Sequence, residues 1–188
     1  MDHAAVQTIV PVRDNIYLEQ IDEQHSLSLF QLVDENREHL SAWLPWVAGM
    51  QTAANFENYI RHCKRQHEAG TDYGYVIIQN KTIVGRIGLH YVHQQNRSAA
   101  IGYWLGKEHE GKGIVTGACV ALIALAFEQL HLNRIEIKCG VGNEKSAAIP
   151  ERLRFTREGL LRQAEWVNGH FIDLYLYSLL KDEWKRQH

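Results

Sequence analysis

The apolar positions of this chain switch repeatedly between a strand-like and a helix-like period. Residues 15–21 read as a first strand, and over 22–40 the apolar residues Leu29, Leu32, Val33 and Leu40 keep the spacing of one helical face. A second helix follows over 52–69, with Thr52 as its N-cap. Residues 73–79 and 82–92 are predicted strands joined at Asn80-Lys81, and 99–105 is a third, all rich in β-branched and aromatic residues. Beyond a glycine-bearing loop comes a long helix carrying Val120, Ile123, Ala124 and Phe127 with few polar interruptions, so it should be buried against a sheet. Residues 134–139 form another strand, 146–154 a short helix, and Asn168-Gly169 a hairpin turn between strands 163–167 and 171–177. Helices thus separate two groups of strands, an α+β pattern. Only the first dozen residues and the last few look dispensable.

Length and composition narrow this picture. The chain has 188 residues, 45% of them hydrophobic, enough for one substantial core, so a single domain over 1–188 with its core at about 10–180 is expected. Cys63, Cys119 and Cys139 are odd in number and in no C-x-x-C pair, which suggests neither a disulfide framework nor a zinc site. The eleven histidines show no metal-ligand spacing, and no metal is expected. No leader and no apolar run of membrane length is visible, so the expectation is a cytoplasmic protein without a membrane partner. A net charge of −2 with both signs scattered argues against a direct nucleic-acid surface.

The loop between strand 99–105 and the long helix is the candidate chemical feature. Gly111 and Gly113 let backbone approach a ligand closely, and the helix that follows points unpaired N–H groups and its positive dipole end at the same place. A phosphate or pyrophosphate fits there, although a tight strand-to-helix turn would use the same glycines. Gly106-x-x-x-x-Gly111-Lys112-Gly113 comes within one residue of a P-loop. Gly113, however, stands where Ser or Thr would hold magnesium, and no later apolar strand ends in an acidic residue, so triphosphate hydrolysis is disfavoured.

Glu110-Gly111-Lys112-Gly113-Ile114-Val115 resembles the Q/R-x-x-G-x-G/A loop of the GNAT N-acetyltransferases. The resemblance extends through Asn143-Glu-Lys-Ser146 and the segment ending at Phe155. With Trp43-Leu44-Pro45-Trp46, Gly102-Tyr103-Trp104-Leu105, Gln163-Ala164-Glu165-Trp166 and Asn168-Gly169, the chain is similar to the RimL-like, ribosomal-protein-serine type of that superfamily. Glu110, Val115 and Arg154 depart from the family pattern. The resemblance implies a three-layer α/β fold with a mixed, mainly antiparallel central sheet flanked by helices.

It also implies acetyl-CoA as the cofactor, without a metal. Backbone groups of Trp104 and Leu105 would pair with the coenzyme's amide arm, and a backbone N–H near Leu105 would stabilise the oxyanion. The diphosphate would meet the N–H groups of Gly111, Gly113, Ile114, Val115 and Thr116, with Asn143 near the amide arm. Lys112 would offset the carboxylate that Glu110 places beside the pyrophosphate. Glu165 would be the base, its pKa raised by Trp166, and Ser146 the acid that protonates the thiolate. Trp43, Trp46, Tyr103 and Trp166 would form the amine pocket. Read from the residues alone, Glu165 could equally be an exposed strand residue and Ser146 a helix cap. The implied partner is a protein N-terminus, a ribosomal protein's N-terminal serine; a small amine such as a polyamine, antibiotic or amino acid is the alternative, and a non-catalytic acyl-CoA-binding module a third. The apolar strand 171–177 is compatible with a homodimer edge.

Overall fold

The computed structural model describes residues 6–187. Its strands are β1 (Ile9–Arg13), β2 (Ile16–Gln20), β3 (Tyr73–Gln79), β4 (Thr82–His93), β5 (Ser98–Leu105), β6 (Arg134–Gly140), β7 (Thr156–Val167) and β8 (His170–Leu180). Its helices are α1 (Ser26–Glu35), α2 (Arg37–Ser41), α3 (Ala53–Glu68), α4 (Ile114–Glu128), α5 (Glu144–Arg152) and α6 (Lys181–Gln187). The strands form one sheet in the order β1-β2-β3-β4-β5-β6-β8-β7. Every neighbouring pair is antiparallel except β5 and β6.

Two apolar layers sandwich this sheet. On one face α4 buries Ala118, Cys119, Leu122, Ile123 and Ala126 completely, as its nearly unbroken apolar sequence requires. A β-carbon at Gly117 would stand 2.9 Å from Val12 Cγ1, so glycine there lets α4 settle close to β1. On the other face α1 contributes Leu29, Leu32 and Val33, and α3 contributes Phe56, Ile60 and Cys63, spaced on one helical side. Thr52 and Asn55 close a capping box that fixes where α3 begins.

The single helix expected over 22–40 is divided. Asn36, at φ −118° and ψ 16°, ends α1 and starts α2, while its Nδ2 donates to Leu32 C=O at 2.8 Å and its Oδ1 accepts from Lys107 N at 2.9 Å. The break exists because one side chain satisfies both a helix end and the loop after β5. Three further differences lie at the ends of the chain. β1 occupies part of the first dozen residues, pairing with β2, and Arg13 Nη2 donates to Lys112 C=O at 2.7 Å. β7 is far longer than 163–167 because, as an exposed edge strand, it carries little hydrophobic alternation to reveal it. α6 was not expected, yet it seats Trp184 in the core at 7% exposure, tilted against Phe127 at 6.4 Å. Among the described residues no helix is long and apolar enough to cross a membrane.

Trp184→Ala should therefore lower the unfolding free energy by about 3 kcal/mol, as loss of a large buried aromatic does. Urea denaturation followed by circular dichroism checks this; an unchanged midpoint would mean that α6 is peripheral.

Candidate active site

β5 and β6 pair at only four positions, from Ser98↔Arg134 to Ile101↔Ile137. Beyond them β5 stays with β4 as far as Leu105↔Gly85, and β6 stays with β8 as far as Gly140↔Leu174. Each strand follows its outer partner, and a fork opens in the sheet from Gly102 onward. Gly106 N donates to Val84 C=O at 2.9 Å, and in an antiparallel ladder alternate residues face the same partner. Trp104 accordingly turns its N–H and C=O toward β4, whereas Tyr103 and Leu105 turn theirs into the fork. The free main-chain edge is thus Tyr103 and Leu105, not the expected Trp104 and Leu105.

A cavity of about 1050 Å³ fills the fork and passes between the two layers. His39, Leu40, Trp43 and Leu44 wall it from the α2 side; Ile114, Val115 and Thr116 of α4, with one side of α5, wall it from the other. Gly111 and Gly113 both sit at φ 71°, in the left-handed region, and a β-carbon at Gly111 would meet nothing within 4 Å. Gly113 is the N-cap of α4 and supplies no capping side chain, so the first N–H groups of that helix remain available to an anion.

The charges around this loop differ from expectation. Lys112 is not part of the cavity wall: its Nζ donates to Glu108 C=O at 2.7 Å. Glu110 is held instead by His39 Nε2 at 3.1 Å and Lys145 Nζ at 2.5 Å, a bridge from α2 through the loop to α5. Arg152 Nη1 donates to Thr116 Oγ1 at 3.0 Å. Lys145, Ala148, Ile149 and Arg152 share one side of α5 and all line the cavity. The i, i+3, i+4, i+7 spacing from Lys145 was the available signal for Lys145 and Arg152, which the sequence reading missed. His39 and Arg13 are brought to the loop by tertiary packing and gave no such signal.

Asn143 rather than Ser146 caps α5, its Oδ1 accepting from Ser146 N at 3.2 Å. The Ser146 hydroxyl is therefore free to approach Tyr103 Oη and Cys139 Sγ, each at 3.4 Å, while Tyr103 Oη donates to Ser146 C=O at 3.0 Å. Burial pushes the Tyr103 phenol well above its ordinary pKa and raises the Cys139 thiol, so both keep their protons. Trp43 packs on Gly140, where a β-carbon would stand 3.0 Å from its Cε3 and 3.3 Å from Ile172 Cδ1. Asn168 Nδ2 donates to Ser41 C=O at 2.9 Å, tying the β7–β8 hairpin to the end of α2.

Two expected pocket residues, Trp46 and Trp166, and the expected base, Glu165, do not line the cavity. Trp46 lies against Trp104 at 5.8 Å, packed on the α1–α3 core rather than in the cavity wall. Glu165 pairs with Ile172 across the hairpin and is half-buried beside, not within, that wall. Burial raises its carboxyl pKa, opposed by Lys138. Trp166 does not cause this shift, because consecutive strand residues point to opposite faces. It is 54% exposed and stands edge-on to Phe171 at 4.7 Å.

Together a free strand edge, a glycine loop at a helix start and a cavity through the sheet define an acyl-coenzyme site. The sequence pattern of the acetyltransferase (GNAT) domain matches residues 15–156, and the chain belongs to that family. It is 41% identical over 175 residues to a putative ribosomal N-acetyltransferase of Bacillus subtilis, covering 93% of this chain and 96% of that one. It is 31% identical to the ribosomal-protein-serine acetyltransferase of Escherichia coli, covering 92% of this chain and 97% of the relative. A solved ribosomal L7/L12 α-N-protein acetyltransferase in complex with coenzyme A superposes with a TM-score of 0.90 at 30% identity, covering 93% and 99% of the two chains. The protein is thus an N-acetyltransferase that uses acetyl-CoA. The open space at Gly111 and the uncapped start of α4 fit the coenzyme's diphosphate, and the Tyr103–Leu105 edge fits its amides.

With the coenzyme bound, Glu110 would compete with its phosphates for Lys145. Glu110→Gln is therefore expected to tighten acetyl-CoA binding about two- to fivefold, the scale of an exposed ion pair. Lys145→Ala should weaken it by about tenfold, the scale of a hydrogen bond to a charged group. Isothermal titration calorimetry at two salt concentrations checks both; weaker binding by Glu110→Gln would contradict the competition.

Proposed function

We propose that this enzyme acetylates the N-terminal serine α-amine of a ribosomal protein, by direct attack of the amine on the acetyl thioester. The observation that carries the reading is the cavity's passage through the sheet: a donor held on the α4–α5 side meets an acceptor entering from the α2 and hairpin side. One relative is named a ribosomal-protein-serine acetyltransferase and another a putative ribosomal N-acetyltransferase, which supports a protein acceptor and a cytoplasmic setting. Bound acetyl-CoA supplies an acyl carbon activated by its thioester. The N–H of Leu105, directed into the fork, is positioned to donate to the carbonyl oxygen as it gains charge, a contact worth about 3 to 4 kcal/mol where one such donor has been removed. The Ser146 hydroxyl, backed by Tyr103, supplies a proton to the departing sulfur.

Glu165 enters this reading as the carboxylate of the acceptor face, placed to attract the ammonium form of the incoming N-terminus. Small polycations are less well served, since the acidic Glu110 and Glu144 in the cavity wall are matched by Lys145 and Arg152.

Mass spectrometry of ribosomal proteins and small amines incubated with acetyl-CoA tests the assignment; one acetyl group on an N-terminal serine is the expected product, and modification of small amines alone would overturn it. Glu165→Gln should raise the acceptor KM more than it lowers kcat. It should not destabilise the protein at neutral pH: a carboxyl with a raised folded-state pKa favours the fold at low pH, and that contribution is lost as pH rises through its folded value.

A further inference from the structure

α5 lies alongside the coenzyme cavity and is anchored to it at both ends. At its start Ser146 C=O accepts from Tyr103 Oη at the fork, and Lys145 meets Glu110 of the glycine loop. At its last turn Arg152 Nη1 donates to Thr116 Oγ1 at 3.0 Å, in the first turn of α4. Ser146 and Arg152 stand about 9 Å apart along the helix axis.

Lys145 and Arg152 both line the cavity, but they are held differently. Lys145 already has a carboxylate in Glu110, whereas among the described residues Arg152 has no acidic partner and is fixed by the threonine hydroxyl. A guanidinium is always charged and presents its donors in a flat fork, of which this contact uses one. Thr116 Oγ1 accepts that bond and keeps its own hydrogen to donate. An unmatched cation and a free hydroxyl thus stand side by side at the cavity rim, next to the uncapped start of α4. They suit a second anion, distinct from the one on the glycine loop. Arg13, also near this helix start, lies outside the cavity wall and spends its Nη2 on Lys112 C=O.

The connectivity of the coenzyme identifies that anion. Its diphosphate joins pantetheine on one side to a ribose bearing a 3′-phosphate on the other. With the amides on the Tyr103–Leu105 edge and the diphosphate on the loop, the ribose leaves away from the fork, toward the end of α5 that carries Arg152.

We propose that Arg152, positioned by Thr116, recognises the ribose 3′-phosphate and makes the enzyme select acetyl-CoA over thioester donors that lack this group, such as dephospho-CoA or a carrier-protein phosphopantetheine. The proposal rests on the acetyl-CoA site and not on the identity of the acceptor. The 3′-phosphate is the part of the coenzyme farthest from the acyl group, so the selection acts on binding of the donor and leaves the chemistry of transfer alone.

Isothermal titration of the full chain with CoA and with dephospho-CoA, in the absence of any acceptor, tests it. The parent is expected to bind CoA about tenfold more tightly than dephospho-CoA, the lower end for hydrogen bonds to a charged group because the contact is exposed. Arg152→Ala should weaken CoA by about the same factor and leave dephospho-CoA within twofold of the parent, abolishing the preference; Arg152→Lys should restore part of it. Arg13→Ala, which loosens the loop backbone, should weaken both ligands alike. An equal loss for both ligands in Arg152→Ala, an unchanged affinity for CoA, or a preference abolished by Arg13→Ala and retained in Arg152→Ala would each overturn the proposal. Since no acceptor is present, failure of the serine reading leaves this result untouched.

Discussion

Everything in the site depends on two strands parting. β5 and β6 begin as a parallel pair, and after Ile101 each is committed to its other neighbour. A strand edge in the middle of a sheet would ordinarily be sealed, because unpaired N–H and C=O groups away from water are unfavourable by about 1 to 3 kcal/mol each. Here the edge is left for a ligand with amides of its own, which makes backbone recognition independent of side-chain identity at Tyr103 and Leu105. The anion loop follows directly from the end of β5, so the two parts of the coenzyme site are one continuous stretch of chain.

The fork also turns the sheet into a partition. Ser146, Tyr103 and Cys139 cluster on one face, which the proposed mechanism uses for proton donation to the leaving sulfur, and Trp43 and Glu165 lie on the other, to which it assigns the acceptor. Opposing tasks that would interfere within one pocket are kept a sheet's thickness apart. The raised Tyr103 phenol suits its side, since a group that holds its proton can go on donating a hydrogen bond.

What the sequence made legible was local. The helix α4 was visible because its apolar residues are contiguous, and the glycine loop because its neighbours in sequence are its neighbours in space. The break at Asn36 was hidden because its cause is Lys107, far along the chain. β7 was underestimated because an edge strand lacks alternation, and α6 because only one of its residues, Trp184, is buried. Glu110 looked like a defect in the loop until the fold brought Lys145 and His39 to it. The fork between β5 and β6 is a property of strand alignment, which no local pattern encodes.

Asn36 has a mechanical consequence beyond ending a helix. Its side chain grips Lys107 at the root of the anion loop, and the helix it starts carries His39, which holds Glu110 of that loop, and leads directly to Trp43 in the acceptor wall. Loop and cavity wall are therefore fastened to one side chain and one short helix, so that neither can be displaced without straining the contacts of the other.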